Sequence, residues 1–301
     1  MPQRSVSPVA AREQLPADAF PLSAAQRGIW FAQHFAGDTP ISIAQYVELT
    51  GPVDVELLAA VSRQAGREFG TGYLRLIEVD GLPYQVVDTG IEHDLPVIDL
   101  RDAADPVAAA QEWMRAEYSA PLDLLSDRLG AFAMLRLGDE HWYWYQRIHH
   151  IVLDGFGAVT MVRRIAELYT AARTGTQPPP STAEDLRAIV AADAAYRDSA
   201  RFEADGAHWR EHLAGMAEPV GLAGRTAPVD AHPIVAAGEL PSATAELIDA
   251  VARAESSGVA PIVVAAITAK QAAARTRDHH VDLVVPVHHC VSSHANARPR
   301  R

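Results

Sequence analysis

Three observations predict an α/β fold. Runs rich in aromatic and branched residues, above all Trp142–Ile148, are patterned as strands. Runs with apolar residues every third or fourth position, such as Ala158–Ala172, are patterned as helices. The two kinds alternate along the chain, which is the order expected of helices packed on a sheet.

Residues 1–19 read as a flexible leader. Ser23 is placed to cap a helix that continues through Ile29, Trp30 and Phe31, with Trp30 expected in a core. Tyr46–Leu49 reads as a strand, and Asp54 as the cap of a helix whose apolar positions are Leu58, Val61, Ala65 and Phe69. Leu74–Val79 and Tyr84–Val87 flank Asp80-Gly81, a hairpin signal because this pair suits tight turns between strands. Asp105-Pro106 opens a further helix on which Trp113 and Tyr118 are expected to be core residues. Gly130–Leu137 and Trp142–Ile148 are expected as antiparallel strands joined by Gly138-Asp139-Glu140. A helix ends near Arg173, after which the proline-rich Thr174–Thr182 breaks regular structure and is expected to link two lobes. Alanine-rich helices follow to about Leu213, then helical patterns over 243–256 and 259–275, a strand over 281–287 and an unpatterned tail over 288–301.

With 301 residues and 49% hydrophobic composition, the chain has material for a substantial core and about two domains. A net charge of -12 without a long basic run before the C-terminal end argues against a general nucleic-acid binder, which needs clustered Lys and Arg to neutralise phosphates. The single cysteine, Cys290, excludes an intrachain disulfide framework and a multi-cysteine metal site, and fits a reducing cytosol. Met1–Pro16 has no apolar core of signal-peptide length, and no segment offers about 18 uninterrupted apolar residues. The expectation is a cytoplasmic protein without membrane or nucleic-acid partners. His279, His280, His288, His289, Cys290 and His294 match no familiar zinc spacing and are read as part of the tail, so no metal site is expected.

The chemistry-bearing stretch is His149-His150-Ile151-Val152-Leu153-Asp154-Gly155, set between an aromatic strand and a helix. A histidine there can exchange a proton near neutral pH, its ordinary pKa being about 6.5. Asp154 is expected to orient or support it, and Gly155 and Gly157 to adopt backbone angles that other residues resist.

This stretch resembles the histidine signature of condensation domains from nonribosomal peptide synthetases, of which chloramphenicol-acetyltransferase-type enzymes carry a shorter form. Pro21-Leu22-Ser23-Ala24-Ala25-Gln26 with Gly28-Ile29-Trp30 resembles the first motif of the same family, in the form found in the terminal module of enterobactin synthase, as does Trp142–Arg147 before the histidines. Tyr196-Arg197-Asp198 and His208-Trp209 are weaker matches. The resemblance covers about residues 20–287. It implies two chloramphenicol-acetyltransferase-like lobes: residues 20–173 as the N-terminal lobe with the histidine motif, 174–183 as the linker, and 184–287 as part of the second lobe.

The resemblance implies amide formation between a carrier-bound acyl thioester and a carrier-bound aminoacyl thioester, in nonribosomal peptide or siderophore-type biosynthesis. His150 would be the catalytic histidine; His149 and Asp154 would hold geometry, and Gly155 would leave room for backbone contact with the thioester. Donor and acceptor carrier proteins would bring substrates on phosphopantetheine arms, with any adenylation or thiolation partner on another chain and no cofactor bound covalently here. Two departures stand out. Gly70 occupies the position where the family commonly has an arginine that pairs with the motif aspartate, Leu74-Arg75 being the remnant of that motif. The inter-lobe crossover and a late asparagine motif are not found, so the second lobe is expected to be incomplete and activity impaired. A stand-alone acyltransferase using coenzyme A or a carrier, and a noncatalytic carrier-docking fragment, are the alternatives.

Overall fold

A four-stranded sheet carries the histidine turn at the end of one of its two central strands. The structure is a computed structural model that describes residues 15–37, 39–91, 93–216 and 240–275. In chain order the elements are β1 (Phe20–Pro21), α1 (Ala24–Ala36), β2 (Ser42–Thr50), α2 (Val55–Phe69), β3 (Leu74–Val79), β4 (Leu82–Val87), β5 (Val97–Asp99), α3 (Pro106–Ser119), β6 (Gly130–Gly138), β7 (His141–His149) and α4 (Gly155–Thr174). Then follow α5 (Leu186–Arg197), α6 (Ala200–Leu213), α7 (Ser242–Ala254) and α8 (Val259–Arg275). The larger sheet has the order β2-β7-β6-β5, and β1-β4-β3 form a smaller one. All pairings are antiparallel except β5 with β6.

Local chemistry accounts for the element starts. Ser23 and Gln26 form a reciprocal capping box at α1. Asp54, Asp105 and Asp154 each accept a backbone N–H at the head of α2, α3 and α4, and Pro106 occupies the first turn of α3, where its missing N–H costs nothing. Asp80 (φ 53°) and Gly81 (φ 76°) are both left-handed, as a two-residue hairpin of matching twist requires.

Alternation along β7 sends its side chains to two different cores. Trp142 and Trp144 meet Leu58, Val61 and Ala65 of α2 and Met161, Ile165 and Leu168 of α4. Tyr143 and Tyr145 meet Ala110 and Met114 of α3 from the other side. A third cluster joins Leu22 and Trp30 to Leu74, Leu76, Leu129 and Ile151, tying α1 and the small sheet to the histidine turn. Trp113 packs against the α3 core, whereas Tyr118, expected to be buried, is exposed near the end of that helix.

The chain divides into compact units between Ala214 and Gly215, not at the expected 174–183 linker. The proline-rich segment is held to the first unit, because Pro179 O accepts from Arg164 Nη1 at 2.7 Å. Helix α5 is held there too: Asp193 Oδ2 accepts from Ala24 N at 2.8 Å, and Leu186 packs on the cluster around Leu22. Within the second unit the described residues form α7 and α8. The strand expected at 281–287, the tail and the C-terminal histidine cluster lie outside the described residues. Among the described residues no single helix is long and apolar enough to cross a membrane, and no three metal-ligating side chains cluster.

Candidate active site

The turn that follows β7 is held by its backbone before any side chain is considered. His149 N donates to Leu129 O at 2.8 Å and His150 N to Ile41 O at 2.9 Å. Val152 N donates to His149 O at 2.9 Å, closing the turn, and Ile151 O accepts from Gln26 Nε2 at 3.1 Å. Gln26 also returns an oxygen to Ser23 N and exchanges two hydrogen bonds with the buried Gln85. The first motif and the histidine motif, 125 residues apart in sequence, are thus one hydrogen-bonded assembly.

The two histidines have different surroundings. His149 is fully buried. Its Nδ1 accepts from Ile151 N at 3.2 Å, which leaves Nε2 as the protonated nitrogen, donating to Gln33 Oε1 at 3.0 Å. Burial, reinforced by the neighbouring His150 and Arg147, pushes its pKa down to about 4, so it is neutral at pH 7. His150 is half-buried, and among the described residues its side chain makes no hydrogen bond. His149 is therefore committed to the scaffold, while His150 has both ring nitrogens available for a substrate.

Gln33 escaped the sequence reading. Its Oε1 accepts from Ile41 N (2.8 Å) as well as from His149, and its Nε2 donates to Gly37 O and Thr39 O, both at 3.0 Å. The same side chain that fixes the His149 tautomer also fixes the Ile41 segment, which accepts the His150 N–H. The available signal was position: Gln33 lies three residues after the core Trp30, a polar residue inside the apolar stripe of α1.

Asp154 does not meet a histidine. Its Oδ1 accepts from Gly157 N at 2.7 Å, so its role in the structure is to cap α4. Among the described residues no hydrogen bond joins it to either histidine, so any support it gives them passes through the head of α4. Gly70, at the position of the absent arginine, is the left-handed cap of α2 (φ 70°), where a Cβ would sit 3.4 Å from Leu186 Cδ1. The expected special backbone angles at Gly155 and Gly157 are also absent, since neither has positive φ. A Cβ at Gly155 would meet nothing within 4 Å, leaving open space at the start of α4. At Gly157 a Cβ would lie 2.9 Å from Leu153 Cδ2, so a side chain there would oblige the end of the Leu153 side chain to move.

Behind His149, Glu117 of α3 receives Arg147 Nε (2.9 and 3.2 Å) and the hydroxyl of Tyr145. Burial, with the Glu117 carboxylate beside it, raises the Tyr145 pKa, which keeps the phenol protonated as a donor. This group braces the odd-numbered face of β7 directly below the turn.

The condensation domain family matches residues 17–291 of the chain. Enterobactin synthase component F of Escherichia coli O157:H7 is 37% identical over 218 residues, covering 70% of this chain and 17% of that protein. A dimodular nonribosomal peptide synthase of Bacillus subtilis (strain 168) is 37% identical over 208 residues, covering 68% of this chain and 9% of the synthase. Among solved structures, the starter condensation domain of rhizomide synthetase in complex with C8-CoA and Leu-SNAC superposes with a TM-score of 0.67 at 39% identity, covering 71% of this chain and 49% of that one. The first condensation domain of the calcium-dependent antibiotic synthetase, in complex with a substrate analogue, has a TM-score of 0.73 at 30% identity, covering 84% of this chain and 61% of that one. The chain therefore spans a small part of the synthetases it matches and about half of the rhizomide domain chain.

Proposed function

The chain belongs to the condensation-domain family of nonribosomal peptide synthetases, and we propose that it serves amide formation between a carrier-bound acyl thioester and a carrier-bound aminoacyl thioester, with His150 as the catalytic residue. The observation that carries this reading is the division of labour between the adjacent histidines. His149 spends both ring nitrogens on Ile151 and Gln33, whereas His150 is anchored only through its backbone and keeps its imidazole for the reacting amine.

In the proposed step the acceptor amine attacks the donor thioester carbonyl. The C–N bond forms, the pantetheine thiolate leaves, and the proton released by the amine passes to His150 or, through it, to the departing sulfur. His150 also positions the amine, a contribution that needs the fixed turn described above. His149, through Gln33, holds the turn. Asp154 acts at one remove by capping the helix that starts at Gly155, and the open space at Gly155 leaves the head of α4 accessible to the thioester. The phosphopantetheine arms of donor and acceptor carriers supply the substrates; the carriers are the partners of this reading, wherever in a synthetase or on whichever chain they lie.

Single-turnover amide formation by the purified chain, given an acyl-loaded and an aminoacyl-loaded carrier, tests it. His150→Ala is expected to lower the rate by about 10²–10⁴-fold while the circular dichroism spectrum is unchanged. Turnover that persists in a folded His150→Ala variant removes His150 from catalysis. Acyl transfer from soluble coenzyme A to an alcohol, without amide formation from carriers, replaces the reading by a stand-alone acyltransferase. Carrier binding without any turnover replaces it by a docking fragment.

A further inference from the structure

The last helix of the first compact unit carries chemistry that the acyl-transfer reading leaves unused. Helix α6 contains His208-Trp209-Arg210-Glu211-His212, and no residue of that helix is buried. Side chains four apart lie on one helix face, one turn from each other, so His208 and His212 are neighbours on the surface of α6. Their ring centroids are 5.9 Å apart and their planes 17° from parallel. Trp209 sets its ring against both, 5.8 Å from His208 at 71° and 5.8 Å from His212 at 87°, which limits where either imidazole can turn.

Imidazole is the commonest protein ligand of zinc and the later first-row ions. Two ring nitrogens at about 2.0–2.1 Å from one tetrahedral ion set the ring centres about 5 Å apart. The observed 5.9 Å is within reach of that value through small side-chain rotations. The order H-x-x-E-H on a helix is also one in which zinc sites are built from the two histidines. Among the described residues no third ligating side chain joins them, so water takes the remaining coordination positions.

Helix α6 has a use for such an ion. A helix of 14 residues is marginal by itself, and most helices are held by a buried apolar face, which α6 lacks. Ser199 caps its start, accepting from Phe202 N at 3.2 Å. At its other end the chain leaves through Ala214 in extended backbone, without a left-handed cap. The two histidines stand in the turns nearest that end. A metal bridge between positions 208 and 212 closes only on the helical chain, so binding and ordering become one equilibrium. We propose that His208 and His212 form a transition-metal site, for zinc or the later first-row ions, that clips the last two turns of α6.

Hydrogen exchange of the full chain, read by mass spectrometry on peptides from 200–213 as zinc chloride is added, tests the site and localises the ion. At ten times the half-saturating zinc concentration, amides in the last two turns are expected to exchange about tenfold more slowly. Half-saturation is expected below about 100 μM. Magnesium, which takes oxygen ligands, is expected to have no effect there. His208→Ala and His212→Ala should each raise half-saturating zinc at least about tenfold. Metal-free exchange in these variants should be unchanged or slower, because alanine is the better helix former, and this separates loss of a ligand from loss of the helix. A folded wild-type chain whose 200–213 amides do not respond to zinc overturns the site. So does a response that either substitution leaves unchanged or that magnesium reproduces. Protection confined to other peptides assigns the ion to other residues and overturns it equally.

Discussion

The two faces of β7 treat their polar groups in opposite ways. On the odd-numbered face Tyr145 and Arg147 converge on Glu117, and His149 on Gln33, so that the polar atoms are used to brace the strand; Arg147 Nη1 is the exception. On the even-numbered face Trp144 Nε1 and Gln146 Nε2 are buried and find no partner, in a part of the fold whose cavity is walled almost wholly by apolar groups. The strand is one and the burial similar, yet one side has most of its hydrogen bonds satisfied internally and the other leaves two donors unpaired. A buried polar group is therefore informative only together with its partners: paired, it braces the scaffold, and unpaired, it costs stability.

The largest test of that contrast is Glu117→Ala. It strands a buried guanidinium, and the unfolding free energy measured in urea is expected to fall by about 3–5 kcal/mol. A loss below about 1 kcal/mol would erase the difference between the faces. His149 provides the next, through pH. Its pKa in the folded chain, about 4, lies below its ordinary value, so the unfolded chain binds the proton more readily. The stabilisation is complete above about pH 6.5 and is lost as pH falls toward 4, a change on the order of 3 kcal/mol. Urea unfolding at steps between these values should show that slope, and His149→Gln should flatten it. Glu68 titrates in a separate, lower window: hydrogen bonding from Arg164 lowers its pKa, so its contribution is present above the ordinary carboxylate range and lost below it.

Asp154 brings the effect down to about 1 kcal/mol. Asp154→Ala should cost that much in thermal or urea unfolding through loss of the α4 cap, and Asp154→Asn should restore most of it. A variant with amide formation lost but stability unchanged would show that the carboxylate acts on the reaction rather than on the helix. Smallest of all, and opposite in sign, is Thr71→Val. Replacing an unpartnered buried hydroxyl by a methyl of similar shape should leave stability unchanged or raise it by up to about 1 kcal/mol in the same assay. A clear loss would mean that the hydroxyl is satisfied within the fold.

Much of the lobe was legible in advance because its signals are local. Ser23, Asp54 and Asp105 cap the helices they were expected to cap, Asp80-Gly81 makes the hairpin turn, and Leu58, Val61 and Ala65 form the buried stripe of α2. A run of prolines, by contrast, reports only the absence of regular structure. Whether such a segment separates lobes depends on contacts such as Arg164 with Pro179, between residues 15 positions apart.

At the histidine turn the boundary between the two sources of information is sharp. The sequence by itself determined that a strand ends in two histidines, that a helix follows within a few residues, and which family's pattern the stretch resembles. These are matters of residue type and spacing. Tertiary structure alone decided which histidine is spent on the scaffold, that Gln33 fixes its tautomer across 116 residues, that Asp154 Oδ1 caps α4, and that a Cβ at Gly157 would crowd the Leu153 side chain. Hydrogen-bond partnership and steric room are properties of atoms brought together from distant parts of the chain, and no local pattern encodes which of two identical side chains will find a partner.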